Sequence, residues 1–390
     1  MKKTLAIVLG FAGVVGFAAV PTPEISSVVQ NSDDRAVTVT YSLEADAIIT
    51  MSVTYGGVSY PVCNAVGDVH RKVSAGAAKR IVWVPGAELP ADFTLGEVSV
   101  NLKSWSPSTP PDYLAINTRC PTAIRYYADV ASIPGGLADP INKTEWLILR
   151  KIPAKGVEWR MGMPSTAAQY GTYGSNNPLK YVTNASDYYM AVYELTQRQY
   201  KNLVGTTSMA GSIEGRTAFA GYPHHEAHLK DWEWHPARNI TWAKATEIAA
   251  NLAQKCGLKV SLPTSQQWEF ACRGRTPNDY YNGVAAIWVA NNLAAIFQTQ
   301  AKYYGGAEKV AHPNYANSLP VGSLEPNCWN LYDMHANIRE WCVEAVGDKH
   351  VTRSGRYSMS GEDAGSGVVV LSNENEEQTY SGMRLCCNIE

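Results

Sequence analysis

Eight cysteines are the first residues in this chain whose chemistry would matter: Cys63, Cys120, Cys256, Cys272, Cys328, Cys342, Cys386 and Cys387. A thiolate can hold a soft metal, attack an electrophile or close a disulfide. None stands in a C-x-x-C arrangement, so a zinc site is not indicated. They are too sparse for a disulfide scaffold, and small buried apolar thiols are the plainer reading of most. Cys386 and Cys387 are adjacent, and on an extended strand neighbours point to opposite faces. His224, His225 and His228 surround Glu226. Histidines at i and i+4 can ligate one metal on a helix. Gly221 and Pro223 precede the group without a full zinc motif, so a solvated insertion is the plainer reading. Trp232, Trp234, Tyr303, Tyr304 and Tyr357 have ring faces suited to a sugar or peptide groove, and suited equally to the packing of an irregular fold.

The elements that must position these groups are legible in outline. The 390 residues are 45% hydrophobic and 17% charged, enough for real cores and for more than one domain. The 33 basic residues nearly balance 35 acidic ones without a basic stripe, which argues against a nucleic-acid partner. Lys2 and Lys3 precede an apolar run from Leu5 to Val20 that ends in the small residues Ala18 and Ala19. That is the pattern of a signal peptide over residues 1–19, hence of a secreted, periplasmic or cell-envelope protein. The alternative is an uncleaved anchor, but the run is short for a span and Gly10, Gly13 and Gly16 interrupt it. After cleavage no membrane span is expected.

Residues 20–105 read as a small all-β, immunoglobulin-like sandwich. Val37, Val39, Tyr41 and Leu43 alternate with polar residues, as do Ile49, Met51, Val53 and Tyr55, and again Val98, Val100 and Leu102. Ser106-Pro107-Ser108-Thr109-Pro110-Pro111 begins a stiff linker and bridging segment expected over 106–147. The second domain, 148–390, is expected to be α+β with little regular structure. Thr196 with Gln199, and Thr264 with Gln267, are capping boxes that open two helices. Between them Trp242, Ala245, Ile248, Leu252 and Cys256 recur at helical spacing, and Gly257 stops the helix.

Five segments in order carry a resemblance. They are Trp159–Gly162 (WRMG), Tyr188–Thr196 (YYMAVYELT), Pro236–Trp242 (PARNITW), Leu262–Gly274 (LPTSQQWEFACRG) and Pro326–Trp341 (PNCWNLYDMHANIREW). Together they resemble the formylglycine-generating enzyme, or sulfatase-modifying factor, family from about Leu149 to Glu390. The resemblance implies a C-type-lectin-like fold that often binds calcium. It places side-chain calcium ligands at Asp333 and Glu340 and carbonyl ligands at Ala336 and Ile338, a hard-oxygen set that suits the ion. The plainer reading is that Asp333 caps a turn and Glu340 pairs with Arg339 or Arg384. Ala336 stands where the family has Gly, so a positive φ there would strain the loop. Asn291 and Asn292 fall near a second family calcium site.

The family oxidises a sulfatase cysteine with copper(I) held by a C-x4-C thiolate pair. The matching positions here are Met359 and Ala364, so copper is not expected, since copper(I) prefers thiolates. The family arginines match Arg353 and Arg384, whose planar forks would grip a carboxylate or fix loops from inside. With Tyr357 they are the candidate ligand contacts. The resulting expectation is an exported, non-catalytic, ligand-binding lectin-like protein whose ligand is a protein, peptide or glycan. The alternative is a formylglycine-generating oxidase with a rearranged copper site.

Overall fold

The computed structural model describes residues 20–389 except 33–34, 63, 86–88, 90–92, 94, 168–169, 207–231, 282–317, 357–363 and 374–379. The segment from Glu24 to Trp105 alternates inward and outward residues, and that alternation builds two antiparallel sheets. β1 (Glu24–Gln30), β2 (Val37–Leu43), β7 (Gly76–Trp83) and β5 (Val66–Gly67) form one sheet in the order β1-β2-β7-β5. In the other, β4 (Val58–Pro61) and β6 (Arg71–Val73) flank β3 (Ala47–Tyr55), and β8 (Val98–Trp105) runs along β3 from Trp105↔Ile48 to Val98↔Tyr55. In β2 the buried residues are Val37, Val39, Tyr41 and Leu43, the period-two set. They close on Ile49, Val53, Ile81 and Trp83 in one core. This is the expected sandwich.

The bridging segment differs from expectation. β9 (Tyr113–Asn117) and β10 (Ile124–Tyr127) belong to the second domain's main sheet, with β11 (Trp146–Ile152), β14 (Tyr188–Ala191), β20 (Cys386–Asn388) and β15 (Lys259–Ser261), in the order β10-β9-β11-β14-β20-β15. The second domain therefore begins near Tyr113 rather than 148. Tyr113–Ile116 is a short apolar run buried on both sides, and such a run lacks the alternation that betrays a one-faced strand. The proline segment is docked rather than free. Lys151 Nζ donates to Pro110 O at 2.5 Å and Tyr189 OH to Pro111 O at 2.6 Å.

Helices α1 (Ile141–Thr144), α2 (Tyr170–Tyr173), α3 (Gln197–Val204), α4 (Trp242–Cys256) and α5 (Ser265–Arg273) surround the sheet. Both predicted capping boxes form, at Thr196 and Thr264, and Gly257 ends α4 at φ 69°. One face of the sheet packs on α4 through Leu149, Tyr189, Ile248, Leu252 and Cys387. The other packs Tyr188, Met190 and Cys386 on Trp268 and Phe270 of α5. Cys386 and Cys387 thus face opposite cores, as their adjacency on a strand dictates. A second sheet orders β18 (Val370–Asn373), β17 (Lys349–Arg353), β16 (Arg339–Val346) and β19 (Ser381–Gly382), with β19 parallel to β16. β12 (Glu158–Met161) and β13 (Lys180–Thr183) make a separate ribbon. Among the described residues no helix is long and apolar enough to cross a membrane.

Candidate functional site

The loop between Pro326 and Trp341 sits where the two sheets of the second domain meet, and its backbone is unusual. Asn330 (φ 59°), Asp333 (φ 59°), Ala336 (φ 106°) and Asn337 (φ 63°) all adopt positive φ. Ala336 therefore carries the strain its sequence position raised, and surrounding bonds hold it. Its amide donates to Ser354 Oγ at 3.0 Å, and that hydroxyl donates to its carbonyl at 2.9 Å.

Asp333 is buried and accepts from the Gly322 amide at 2.5 Å and the Leu324 amide at 3.0 Å. Burial pushes its carboxyl up to about 6. Glu340, at the second position of β16, is fully buried. Arg384 Nε donates to both of its oxygens at 3.0 Å and Nη2 to Oε1 at 2.8 Å; Trp268 Nε1 donates to Oε2 at 2.5 Å. The rest of the Arg384 guanidinium is spent on the carbonyls of Ala191, Val192 and Tyr332. The Ile338 amide and Asn337 Nδ2 donate to Glu194 at 3.1 and 2.6 Å. Burial holds the Glu194 carboxyl well above the usual carboxylate range, and the nearby Asp333 and Glu340 charges add to that.

In this structure the expected calcium ligands Asp333, Ala336 and Glu340 have protein partners. The Glu340 oxygens face a guanidinium, the Asp333 oxygens are taken by amides, and the Ala336 carbonyl is taken by Ser354. A divalent cation beside the Glu340–Arg384 pair would have to overcome repulsion from a buried guanidinium. The Asp333 turn and the Glu340–Arg384 pair are the plainer readings the sequence left open.

Arg353, the last residue of β17, is also completely buried. Its Nε and Nη2 donate to Ser265 Oγ at 2.9 and 2.6 Å, Nη1 to Ser366 O at 2.9 Å, and Nη2 pairs with Glu269 Oε2 at 3.0 Å. Glu269 further accepts from Arg273 Nη2 at 2.7 Å, the Gly162 amide at 2.7 Å and Asn177 Nδ2 at 2.8 Å. Burial raises its carboxyl, but Arg353 and Arg273 outweigh that and hold it below the usual value. The expected ligand contacts Arg353 and Arg384 are thus corrected to interior clamps. Two fully buried guanidiniums bonded to protein carbonyls and carboxylates leave nothing for a ligand to grip.

Of the two positions where the family carries thiolates, Ala364 is described and Met359 is not; Tyr357, His224, His225, His228, Asn291 and Asn292 also lie outside the described residues. Ala364 is buried, and its carbonyl accepts from His335 Nδ1 at 2.8 Å. The same imidazole lies 3.8 Å from Cys272 Sγ, which lies 3.3 Å from Ser366 Oγ. Tyr281 stacks on the imidazole at 4.9 Å. Burial pushes the Cys272 thiol up to about 12 and the His335 imidazole down to about 4, so both are neutral near pH 7. One protonated thiol beside one neutral imidazole is not a copper(I) thiolate pair. Among the described residues, no group of three His, Cys, Asp or Glu side chains converges to hold a metal.

Reasoning from sequence missed Glu194, Glu269, Cys272 and His335 as partners in this centre. The Glu269–Arg273 pair had a signal, the i,i+4 spacing on a helix. The others are brought together across 60 residues or more, and no spacing reveals that.

Comparison with known proteins gives the following. Residues 153–386 match the family described as the Sulfatase-modifying factor enzyme 1-like domain. The chain is 27% identical over 124 residues to the formylglycine-generating enzyme of Thermomonospora curvata, covering 31% of this chain and 37% of that protein. It is 25% identical over 200 residues to the chaperone protein LppX of Paenibacillus barcinonensis, covering 41% and 62%. It therefore spans less than two thirds of either relative. Among solved structures, Treponema denticola variable protein 1 aligns with a TM-score of 0.44 at 18% identity, over 62% of this chain and 95% of that one.

Proposed function

The chain belongs to the sulfatase-modifying factor family, and from that premise we propose that it is an exported member that has given up the family's oxidase chemistry and acts by binding a ligand. The observation that carries this reading is the make-up of the centre around Ala364. Ala364 supplies no thiol, and the described cysteine nearby, Cys272, is buried and protonated. A copper(I) site needs two accessible thiolates, and burial here works against even one. The rigid ion-pair clamps at Glu340 and Glu269 fit a scaffold, because they fix loops rather than take part in turnover. A relative named as a chaperone is in keeping with a role exercised through binding. Export rests on the N-terminal pattern of Lys2, Lys3 and the apolar run that follows. The ligand is a protein, peptide or glycan.

The test is a turnover assay. The mature chain is loaded with copper(I) under reducing conditions and offered a peptide carrying a Cys-x-Pro-x-Arg motif, and mass spectrometry follows conversion of the cysteine to the aldehyde. The expected result is no conversion above a metal-free control. Conversion would overturn the reading and point to Cys272 and Met359 as the rearranged ligands.

A further inference from the structure

A cleft of about 380 Å³ opens beside the β12 ribbon. Trp159 of β12 packs edge-on against Phe270 of α5 at 5.3 Å, and with Val157 and Pro277 these rings give the cleft an apolar wall. Three guanidiniums also line it, from Arg160, Arg273 and Arg275, against the single carboxylate of Glu158. Arg273 is cancelled by Glu269 and committed to backbone carbonyls. Arg160 and Arg275 are exposed, and neither guanidinium has a hydrogen bond or ion pair among the described residues; the Arg160 charge acts on the nearby Asp279 carboxyl, and the Arg275 guanidinium lies over the Trp329 ring.

Arg275 is held there at a cost. It follows Gly274, the left-handed cap of α5, and is itself left-handed at φ 67°. Two successive left-handed residues turn the chain back, and the Arg275 guanidinium lies 4.5 Å from the Trp329 ring. A non-glycine residue in that conformation costs on the order of 1 kcal/mol. Two lining residues also carry buried polar atoms that the structure leaves without a partner, Trp159 Nε1 and Thr276 Oγ1. A flat aromatic wall and two planar cations without a carboxylate partner are the complement of one ligand chemistry.

We propose that this cleft binds a small organic anion, with its planar apolar body against Trp159 and Phe270 and its carboxylate or sulfonate head between Arg160 and Arg275. The cleft shares no lining residue with the group of Ala364, His335, Cys272 and Ser366, and its test reads binding rather than turnover, so the two tests can fail separately. Fluorine NMR of the full mature chain would titrate 4-fluorobenzoate, 4-fluorobenzenesulfonate and the neutral isostere 4-fluorobenzamide. The expected result is saturable binding of at least one anion, at least about tenfold tighter than the amide. The ratio of the two anions then identifies the head group. In the Arg160→Gln/Arg275→Gln double variant the anion should bind at least about tenfold more weakly, with the melting temperature lowered by no more than a few degrees, since both side chains are exposed and only the Arg275 contact with the Trp329 ring is lost. Equal binding of the amide, unaltered anion binding in the double variant, or no saturation with either anion would overturn the proposal.

Discussion

Glu340 is expected from sequence either as a calcium ligand or as the partner of Arg339 or Arg384, and the structure pairs it with Arg384. Its oxygens are satisfied by Arg384 and Trp268 in a fully buried pair. Removing its charge strands the Arg384 cation in the interior, and breaking such a pair by one partner costs about 3–5 kcal/mol. Glu340→Gln should therefore lower the urea midpoint sharply, whereas the surface change Arg160→Gln should not. Millimolar calcium should leave the midpoint of the parent protein where EDTA leaves it. A calcium-dependent rise would mean that the ion displaces Arg384 and that the family ligand set is intact.

Among the elements, α5 does the most positioning. It delivers Trp268 to Glu340, Glu269 to Arg353, and Cys272 to His335. Its start is fixed by the Thr264 capping box: the Thr264 hydroxyl accepts from the Gln267 amide at 3.0 Å, and Gln267 Oε1 accepts from the Thr264 amide at 2.9 Å. Thr264→Ala should cost about 1 kcal/mol and Thr264→Ser much less, as read by chemical denaturation. Equal losses from both would assign the effect to the Thr264 methyl rather than to the cap. β20 is the second positioning element. Only three residues long, it pairs with β14 on one side and the edge strand β15 on the other and so ties β15 into the main sheet.

At the scale of the whole molecule, the sandwich meets the second domain through His70. The Tyr126 amide donates to His70 O at 2.8 Å, and His70 Nδ1 lies 3.3 Å from Tyr126 O. The imidazole also lies 5.5 Å from the Tyr127 ring. Burial pushes His70 down to about 4, with the Arg125 charge acting in the same direction. A base whose folded value is depressed contributes stability that is present above its unfolded value, near 6.5, and lost as the pH falls through its folded value. The loss across that window is roughly 3 kcal/mol. Asp333 acts with the opposite sign, because its raised value favours the folded state as pH falls through 6. The prediction is accordingly a comparison: between pH 7 and 4.5 the parent should lose more unfolding free energy than His70→Gln. An equal loss in both proteins would remove His70 as the sensor.

The sequence by itself determined everything that depends on near neighbours along the chain. The alternation in β2 built a sandwich sheet, Thr196 and Thr264 capped helices, Gly257 stopped one, and five ordered motifs indicated the family fold. These features are local because periodicity, capping and turn chemistry act over a few residues. The tertiary structure alone decided which side chains meet. Tyr113–Ile116 joined the second domain because a strand buried on both faces has no alternation to read. Arg353 and Arg384 became interior clamps because residues more than 40 positions away supply their carboxylates. A buried charge takes whatever opposite charge the fold brings to it, since leaving it unpaired costs more than any local preference provides. The chain's own pattern therefore could name the charged residues, flag Glu269 with Arg273 and narrow the partner of Glu340 to Arg339 or Arg384, but it could not choose between those two or find Glu269 for Arg353.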